Sequence, residues 1–403
     1  MALESNVVIT DWDIDYPVKS SANEVYHPVN RPLVYTCEYT GVNNIKRASV
    51  RIIVDGVTIN TGSELIVDPD LGASTIYTFD ISEIVKNYVS STLPTLGAST
   101  APDIVDNNVT ADIRISIADI SDVAGVLTVG TYRDMGSSEV FTACNAYYDN
   151  SGIHSALHVD TDNDGILRKL YMSNMPGTVR LRPTDNCFIG FYQDVTTFIY
   201  TADIVTYVGG SVENSGTANV SASLPDAGVV GIGPANVEAE DASLITDNTD
   251  YYTISLKANG STKKTYKVII DRSCDDSYTS IAFLNRFGFF DYVTFRGDKM
   301  RSKDTKQKYI DKPRTLSRSS VKSDRTMESI GLVSSISYKV NSGLIKEEAV
   351  LWLEELLESP EVYFIEDGGY YPVKIKSSKV NTEDKVKALY SLSCEFEYVK
   401  IKR

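Results

Sequence analysis

The chain is poor in the residues from which most active sites are built. It contains three His and five Cys among 403 residues, and no two cysteines form a CxxC pair. Three histidines leave little material for a His-based catalytic triad or a His-rich metal centre. The scattered, odd-numbered cysteines predict reduced, mostly buried thiols in a chain that folds in a cytoplasm, and they argue against a disulfide framework.

Long hydrophobic runs and catalytic motifs are also missing. No apolar run approaches the roughly 18 residues of a membrane span, and the first residues lack the positive start and apolar core of a signal peptide. Neither a Gly-x-Ser-x-Gly elbow nor a Walker loop occurs. We therefore expect a protein that is not an enzyme, has no resident cofactor and contacts no membrane. If it works outside a cell, assembly into a particle released by lysis is one route.

What the chain does have is sequence that favours strands and interfaces. Tyr occurs 25 times against two Trp, and tyrosine favours both settings because a large apolar ring carries a polar tip. An apolar fraction of 42% and a mean hydropathy of −0.15 are typical of globular domains. Because 403 residues exceed one ordinary core, we expect more than one domain.

The periodicity of the chain predicts a mainly β, multi-domain protein. Residues 1–130 predict a β-sandwich-like domain, in which Ile113, Ile115 and Ile117 alternate with polar residues. Residues 131–275 predict a β-rich middle domain, although residues 209–241 fit either a long loop or weakly marked strands. Residues 276–403 predict an α+β assembly domain, with one amphipathic helix over 345–357 followed by a hairpin.

One segment reverses the charge of this acidic chain. The net charge is −15, yet residues 296–325, called here the basic segment, carry eleven Lys or Arg against four Asp. The segment is therefore at +7 and the remainder at −22. Its basic residues are the candidate partner-binding residues: Arg296, Lys299, Arg301, Lys303, Lys306, Lys308, Lys312, Arg314, Arg318, Lys322 and Arg325.

Three interpretations of the basic segment stay open. It contacts an acidic face of another subunit, or it is a solvated loop, or it binds a nucleic acid. Interspersed aspartates and the acidic remainder of the chain make nucleic acid the weakest of the three. We favour subunit contact, because opposite charges segregated on one chain suit association between identical copies.

An acidic turn offers a candidate metal site. Asp160, Asp162 and Asp164, followed by Gly165, match the opening half of an EF-hand-type calcium loop. The twelfth position of that loop is Tyr171, where a bidentate Glu is required. A polar hairpin turn is the simpler interpretation, and Ca²⁺ at the three aspartates is the weaker one.

Four short stretches resemble virion structural proteins of tailed bacteriophages, notably those that infect Bacteroidota. They are YTFDISEIV at residues 77–85, FLNRFGFFDYVTF at 283–295, WLEELLESPEVY at 352–363 and YPVKI at 371–375. These are packing and strand motifs from both ends of the chain, so they assign no active residues. The resemblance implies a tail, neck, baseplate or collar component, assembled in the host cytoplasm, that forms a ring in the virion with other virion proteins.

The expected function is therefore a structural subunit that assembles by contacts with its own copies. A first alternative is a receptor- or carbohydrate-binding adhesin on the virion, with aromatic platforms at Tyr251 and Tyr252 or at Tyr370 and Tyr371. Adjacent strand residues point to opposite faces, which makes ordinary strand packing the simpler interpretation of those pairs. A second alternative is a cell-wall or glycan hydrolase module, for which the 54 Asp and Glu single out no catalytic pair.

Overall fold

Strands dominate the protein, which confirms the prediction of a mainly β fold. The computed structural model describes residues 8–11, 14–16, 26–30, 33–38, 45–59, 65–67, 76–98, 110–123, 126–134, 141–147, 173–192, 200–220, 227–258, 260–273, 278–297, 299–311, 327–384 and 389–399. The chain divides into two compact units: Met1–Arg272 with Leu284–Tyr292, and Ser273–Phe283 with Val293–Arg403. No helix in these ranges is both long and apolar enough to cross a membrane.

The N-terminal part of the first unit contains two sheets, of four and eight strands. The four-stranded sheet has the order β2-β1-β4-β8, and the other is built on β3-β12-β9-β5-β6. A short helix, α1 (Ser82–Val85), follows β8. The strands are β1 (Val8–Asp11), β2 (Ile14–Tyr16), β3 (Tyr26–Pro28), β4 (Val34–Glu38), β5 (Ile45–Val54), β6 (Val57–Thr58), β7 (Leu65–Val67), β8 (Ile76–Asp80), β9 (Thr110–Val123), β10 (Val126–Val129), β11 (Arg133–Asp134) and β12 (Phe141–Cys144).

Buried side chains from both sheets form one core, the packing expected of a β-sandwich. Tyr77 and Phe79 of β8 belong to the same buried cluster as Ile52 of β5 and Ile113 and Ile115 of β9. Burial of these apolar chains is the main term that stabilises such a fold. The sandwich sheet continues past residue 130, since β11 and β12 are hydrogen-bonded to β9. The predicted division into three domains stays a prediction.

The turn residues and the alternating side chains of this part largely adopt the conformation and burial that their sequence predicts. The tight turn between β5 and β6 uses Asp55 and Gly56, with φ of 48° and 79°, as a type I′ hairpin requires. Ile117 is buried and Arg114 exposed, in agreement with the alternation. Ser116, expected on the solvent side, is buried instead.

The remainder of the first unit holds a five-stranded sheet, β13-β19-β18-β15-β16, and a two-stranded sheet of β14 and β17. Residues 209–241, ambiguous in sequence, supply two of these strands and a helix, α2 (Pro234–Glu240). The strands are β13 (Thr178–Leu181), β14 (Phe188–Tyr192), β15 (Tyr200–Val208), β16 (Ser211–Val220), β17 (Ala227–Gly231), β18 (Tyr251–Ala258) and β19 (Ser261–Ile270).

The C-terminal part of the chain is built on one eight-stranded sheet and one helix, α3 (Glu347–Glu358). The sheet has the order β21-β20-β25-β26-β27-β23-β22, with β24 paired to β27. The predicted hairpin is present, with Asp367 and Gly368 in its turn. The strands are β20 (Thr279–Leu284), β21 (Phe290–Phe295), β22 (Met300–Asp311), β23 (Met327–Asn341), β24 (Ile345–Lys346), β25 (Val362–Glu366), β26 (Gly369–Asp384) and β27 (Leu389–Tyr398).

This sheet has one apolar and one polar face. Phe364 and Phe396 are fully buried, and the inner face of α3 buries Trp352, Leu353 and Leu356. The rings of Phe283 and Trp352 lie 5.8 Å apart between centroids, which seats the helix on the sheet. The opposite face carries the ion pairs Lys374–Glu397 and Lys376–Glu395, at 3.5 and 3.4 Å. The alternation is the one expected of an antiparallel sheet with a solvated side.

The cysteines of the described ranges fit the prediction of reduced thiols. Cys144, Cys187 and Cys394 are buried and form no disulfide bond. Burial raises the pKa of Cys187, with further contributions from Asp291 and Asp185, and burial raises the pKa of Cys394 to about 12. A thiol held protonated in this way is a packing residue and a poor nucleophile.

Candidate interaction surface

The basic segment begins as an edge strand that runs past the end of its sheet. In the described part of the chain, β23 is hydrogen-bonded to β27 only through Ser337 to Asn341, whereas it pairs with β22 from Met327 to Lys339. Residues 303–311 and 327–336 therefore form a two-stranded ribbon, called here the arm. At about 3.4 Å per residue, nine residue pairs extend about 30 Å beyond the last strand that flanks them.

The base of the arm, meaning the end at which it joins the sheet, is anchored by Lys299. Its ammonium group forms an ion pair with Glu366 and lies 4.4 Å from the ring centroid of Phe364 and 4.6 Å from that of Tyr338. The hydroxyl of Tyr398 donates a hydrogen bond of 2.7 Å to the same carboxylate, and burial followed by this bond raises the pKa of Tyr398. The ammonium group of Lys299 is therefore engaged in contacts within its own unit.

A close backbone approach fixes the start of the arm beside β23. The amide of Gly297 donates a 2.9 Å hydrogen bond to the carbonyl of Asn341. A Cβ at position 297 would lie 2.7 Å from Cβ of Asn341 and 2.8 Å from its carbonyl oxygen, closer than packed atoms allow. Arg296, next to this glycine, is half-buried. The first two basic residues of the segment therefore belong to the base of the arm.

The next four cations are presented to solvent. Arg301, Lys303, Lys306 and Lys308 are all exposed, as is every other side chain of the twelve-residue strand β22. Among the residues that the structure describes, none of the four forms an ion pair or a side-chain hydrogen bond. Lys306 and Lys308 lie two residues apart in a regular stretch of the ladder, so they share one face of the ribbon.

Apolar side chains accompany these charges near the far end of the arm. Tyr309 and Ile310 are 54% and 52% exposed, and Met327 and Ile330 on the paired strand are exposed to a similar degree. A bulge in the ladder lies between Lys308 and Tyr309, and bulges increase local twist and redirect side chains. The arm thus combines a basic stem with an apolar end.

The remaining predicted site residues lie outside the described ranges. This holds for the last five cations of the basic segment and for the three aspartates of the calcium candidate, so both predictions stay predictions. No three His, Cys, Asp or Glu side chains in the described ranges come together as a metal site. The residues concerned are Lys312, Arg314, Arg318, Lys322, Arg325, Asp160, Asp162 and Asp164.

A polar groove of about 660 Å³ lies at the base of the arm, on the solvated face of the sheet. Met300, Lys339 and Lys379 contribute to its lining, with Glu395. The pKa of Glu395 is lowered, first by a hydrogen bond from Ser337 and then by Lys376. The carboxylate is therefore already paired with groups of its own sheet.

The tyrosine pairs considered as glycan platforms are strand residues. Tyr252 is fully buried and donates a 2.6 Å hydrogen bond to the carbonyl of Ile232. Tyr251, on the other face, stacks on Tyr207 with ring centroids 4.7 Å apart. Tyr370 packs edge-on against a neighbouring ring. The opposite orientation of adjacent strand residues accounts for the first pair.

The strand character of the arm had no signal in the sequence of β22. A half-buried strand reveals itself by alternation of apolar and polar residues, but β22 is exposed on both faces and has no apolar side to alternate. The partner strand β23 carries the detectable signal, since its residues 336–340 alternate between apolar and polar side chains. From that strand, a hairpin with the basic stretch that precedes it could have been predicted.

Comparisons with known proteins give no relative that bears on function. No protein-family model matches the chain, and no curated protein matches it. A marsupial T cell receptor structure is 10% identical, with a TM-score of 0.16, over 79% of this chain and 94% of that one. A Ca²⁺-stabilized adhesin that helps an Antarctic bacterium bind ice is 9% identical, with a TM-score of 0.16, over 81% of this chain and 68% of that one. Similarity at this level indicates neither a shared fold nor a shared function.

Proposed function

We propose that this chain is a structural subunit that joins its own copies into a ring through the arm, in the tail, neck or baseplate of a bacteriophage. The observation that carries the proposal is that all twelve side chains of β22 are exposed, including apolar ones near its end. The resemblance of residues 77–85, 283–295, 352–363 and 371–375 to phage virion proteins supports the choice of particle. Assembly with other virion proteins belongs to the same proposal.

The arm has the physical character of a surface that becomes covered. A two-stranded ribbon is marginally stable in water by itself, and β22 is the last strand of its sheet. Along its outer edge β22 pairs with no strand of the described ranges, and the edge carries the exposed Tyr309 and Ile310. Such an edge is a ready template for contact with another chain. A subunit interface supplies the missing cover.

Charge favours a second copy as the partner. The rest of the chain carries −22, so each copy is a negative target for the exposed lysines on the arm of another copy. Complementary potentials accelerate encounter and set its orientation more than they set final affinity. When two different surfaces of one chain complement each other, repetition of the contact closes a ring if the rotation permits.

The first test reverses the charge of the arm in the full-length chain. In Lys303→Glu/Lys306→Glu/Lys308→Glu, three attractive contacts become repulsive, and each exposed pair contributes up to about 1 kcal/mol. We expect self-association to weaken roughly tenfold or more. Light scattering after size exclusion gives the mass, and negative-stain images show whether the unmodified chain forms rings.

The matched control keeps the charge and changes the side chains. Lys303→Arg/Lys306→Arg/Lys308→Arg should assemble as the unmodified chain does. An assembled mass that the glutamate variant leaves unchanged contradicts the proposal, as does an unmodified chain that stays monomeric at about 100 μM. A monomer that binds glycans on an array favours the adhesin alternative.

A further inference from the structure

The outer face of α3 is a stripe of carboxylates. Glu347, Glu348, Glu354 and Glu358 are exposed along it, and the helix contains no Lys or Arg. In the described part of the chain none of the four forms an ion pair. The spacing of 347, 354 and 358 places them on one side, because 3.6 residues complete a turn. The inner face is occupied by packing, so this stripe is what the helix offers to solvent.

The C-terminal half of this stripe is electrostatically unfavourable as it stands. The helix dipole places partial negative charge at the C-terminal end, where cations stabilise and carboxylates do not. Glu354 and Glu358 lie in the last two turns, and the last turn contains no basic residue. A cation supplied from outside would neutralise both the carboxylates and the helix end. The stripe is therefore better suited to a basic partner than to water alone.

Apolar side chains are exposed within and beside the stripe. Leu351, on the same side as the glutamates, is 62% exposed, and Leu344, just before the helix, is 68% exposed. The arm has the complementary composition, with exposed lysines followed by exposed Tyr309 and Ile310. Charge complementarity and apolar complementarity are two separate properties, and both match.

We infer that the outer face of α3 receives the arm of a second copy of this chain. The spacing fits: Lys306 and Lys308 are about 7 Å apart along the strand, and Glu354 and Glu358 are about 6 Å apart along the helix. Because the whole of β22 is exposed, the arm does not cover α3 of its own chain. The inference rests on the proposed function and adds the receiving surface.

This pairing determines the kind of assembly. The arm and the α3 stripe are different surfaces of one unit, so each copy gives one contact and receives one. Such a heterologous contact builds a ring when it closes and a filament when it does not. A symmetric dimer is not the product, because it would require the same surface on both sides.

The test uses two full-length variants that should each fail alone and assemble together. One is Lys303→Glu/Lys306→Glu/Lys308→Glu, with a negative arm and a negative α3. The other is Glu347→Lys/Glu354→Lys/Glu358→Lys, which keeps the three arm lysines and makes α3 positive. When the two variants are mixed in equal amounts, the arm glutamates of one meet the α3 lysines of the other, and the arm lysines of the other meet the α3 glutamates of the first. We expect separate samples to lose the assembled peak in light scattering, and the mixture to recover at least half of the unmodified mass.

The control applies the same charge change elsewhere. Glu83, Glu238 and Asp247 are exposed in the first unit, and Glu83→Lys/Glu238→Lys/Asp247→Lys should assemble normally and fail to rescue the negative-arm variant. Circular dichroism melts show that each variant folds. If the arm variant fails to assemble while the α3 variant assembles normally and no mixture recovers, α3 is not the receiving surface and the proposed function stands. If the arm variant assembles normally, both the inference about α3 and the proposed function are contradicted.

Discussion

At the scale of single residues, close packing decides which side chains are allowed. Gly190 lies in the middle of β14, paired with Val229, and a Cβ built there would lie 1.9 Å from the nearest ring carbon of Phe289. That ring is itself buried, so it has little room to move away. The absence of a side chain at position 190 is what lets the loop of Phe289 pack on this strand.

We expect Gly190→Ala to lower the free energy of unfolding by about 1–3 kcal/mol, the usual range for overpacking a core. The matched control is Gly177→Ala. No atom lies within 4 Å of a Cβ at position 177, so that change should stay within about 0.5 kcal/mol of the unmodified chain. Urea titrations followed by tyrosine fluorescence give both values. Equal midpoints for the two variants would contradict the packing argument.

At the scale of elements, the arm depends on its base. Beyond the sheet the ribbon has only its own ladder, so its orientation is set where Lys299 meets Glu366 and the rings of Phe364 and Tyr338. A half-buried ammonium over aromatic faces contributes about 1–2 kcal/mol. The basic residues of this segment therefore differ in role. Lys299 anchors the base of the arm, and the exposed lysines of β22 are the proposed contact residues.

We expect Lys299→Met to destabilise the protein by about 1–2 kcal/mol, since it removes the ion pair and both cation–π contacts. Lys306→Met is the control, because Lys306 is exposed on β22, and its unfolding should change by less than about 0.5 kcal/mol. Thermal melts monitored by circular dichroism compare the two. A larger loss for Lys306→Met would mean that the anchor is misassigned.

The sequence predicts most elements of this fold because their chemistry is local. Ile113 and Ile115 alternate and are buried, and the Asp-Gly turns at Asp55 and Asp367 both adopt positive φ. For residues 209–241 the sequence left a long loop and strands both open, since small, uncharged residues mark strands weakly; the structure has strands there and a short helix.

The candidate site is predicted only in part. The sequence identifies which residues are basic, but it does not separate Lys299 from Lys303. That distinction depends on which lysine the strand register brings over the rings of Tyr338 and Phe364. The role inferred for α3 has no signal in the sequence for a related reason, because acidic residues on an amphipathic helix are expected on any solvated face. Only the missing cations in its last turn, weighed against the helix dipole, mark it as unusual.

At the scale of the whole molecule, charges of opposite sign are segregated along the chain. A chain with net charge −15 confines a local +7 to one segment, and the structure extends part of that segment away from the sheet. Association of this kind is sensitive to ionic strength, because exposed charges are screened beyond about 10 Å at 0.1 M salt. The apolar residues at the end of the arm are insensitive to screening, so they would retain the contact once it has formed.

The most direct measurement is the mass in solution of a chain whose arm has been removed. Ser302 and Ser337 face each other in the ladder, so Asn-Gly in place of residues 303–336 closes a two-residue hairpin there. Light scattering should show a multimer for the full chain and a monomer for the shortened one, with little change in melting temperature. A shortened chain that keeps the multimeric mass would contradict the account.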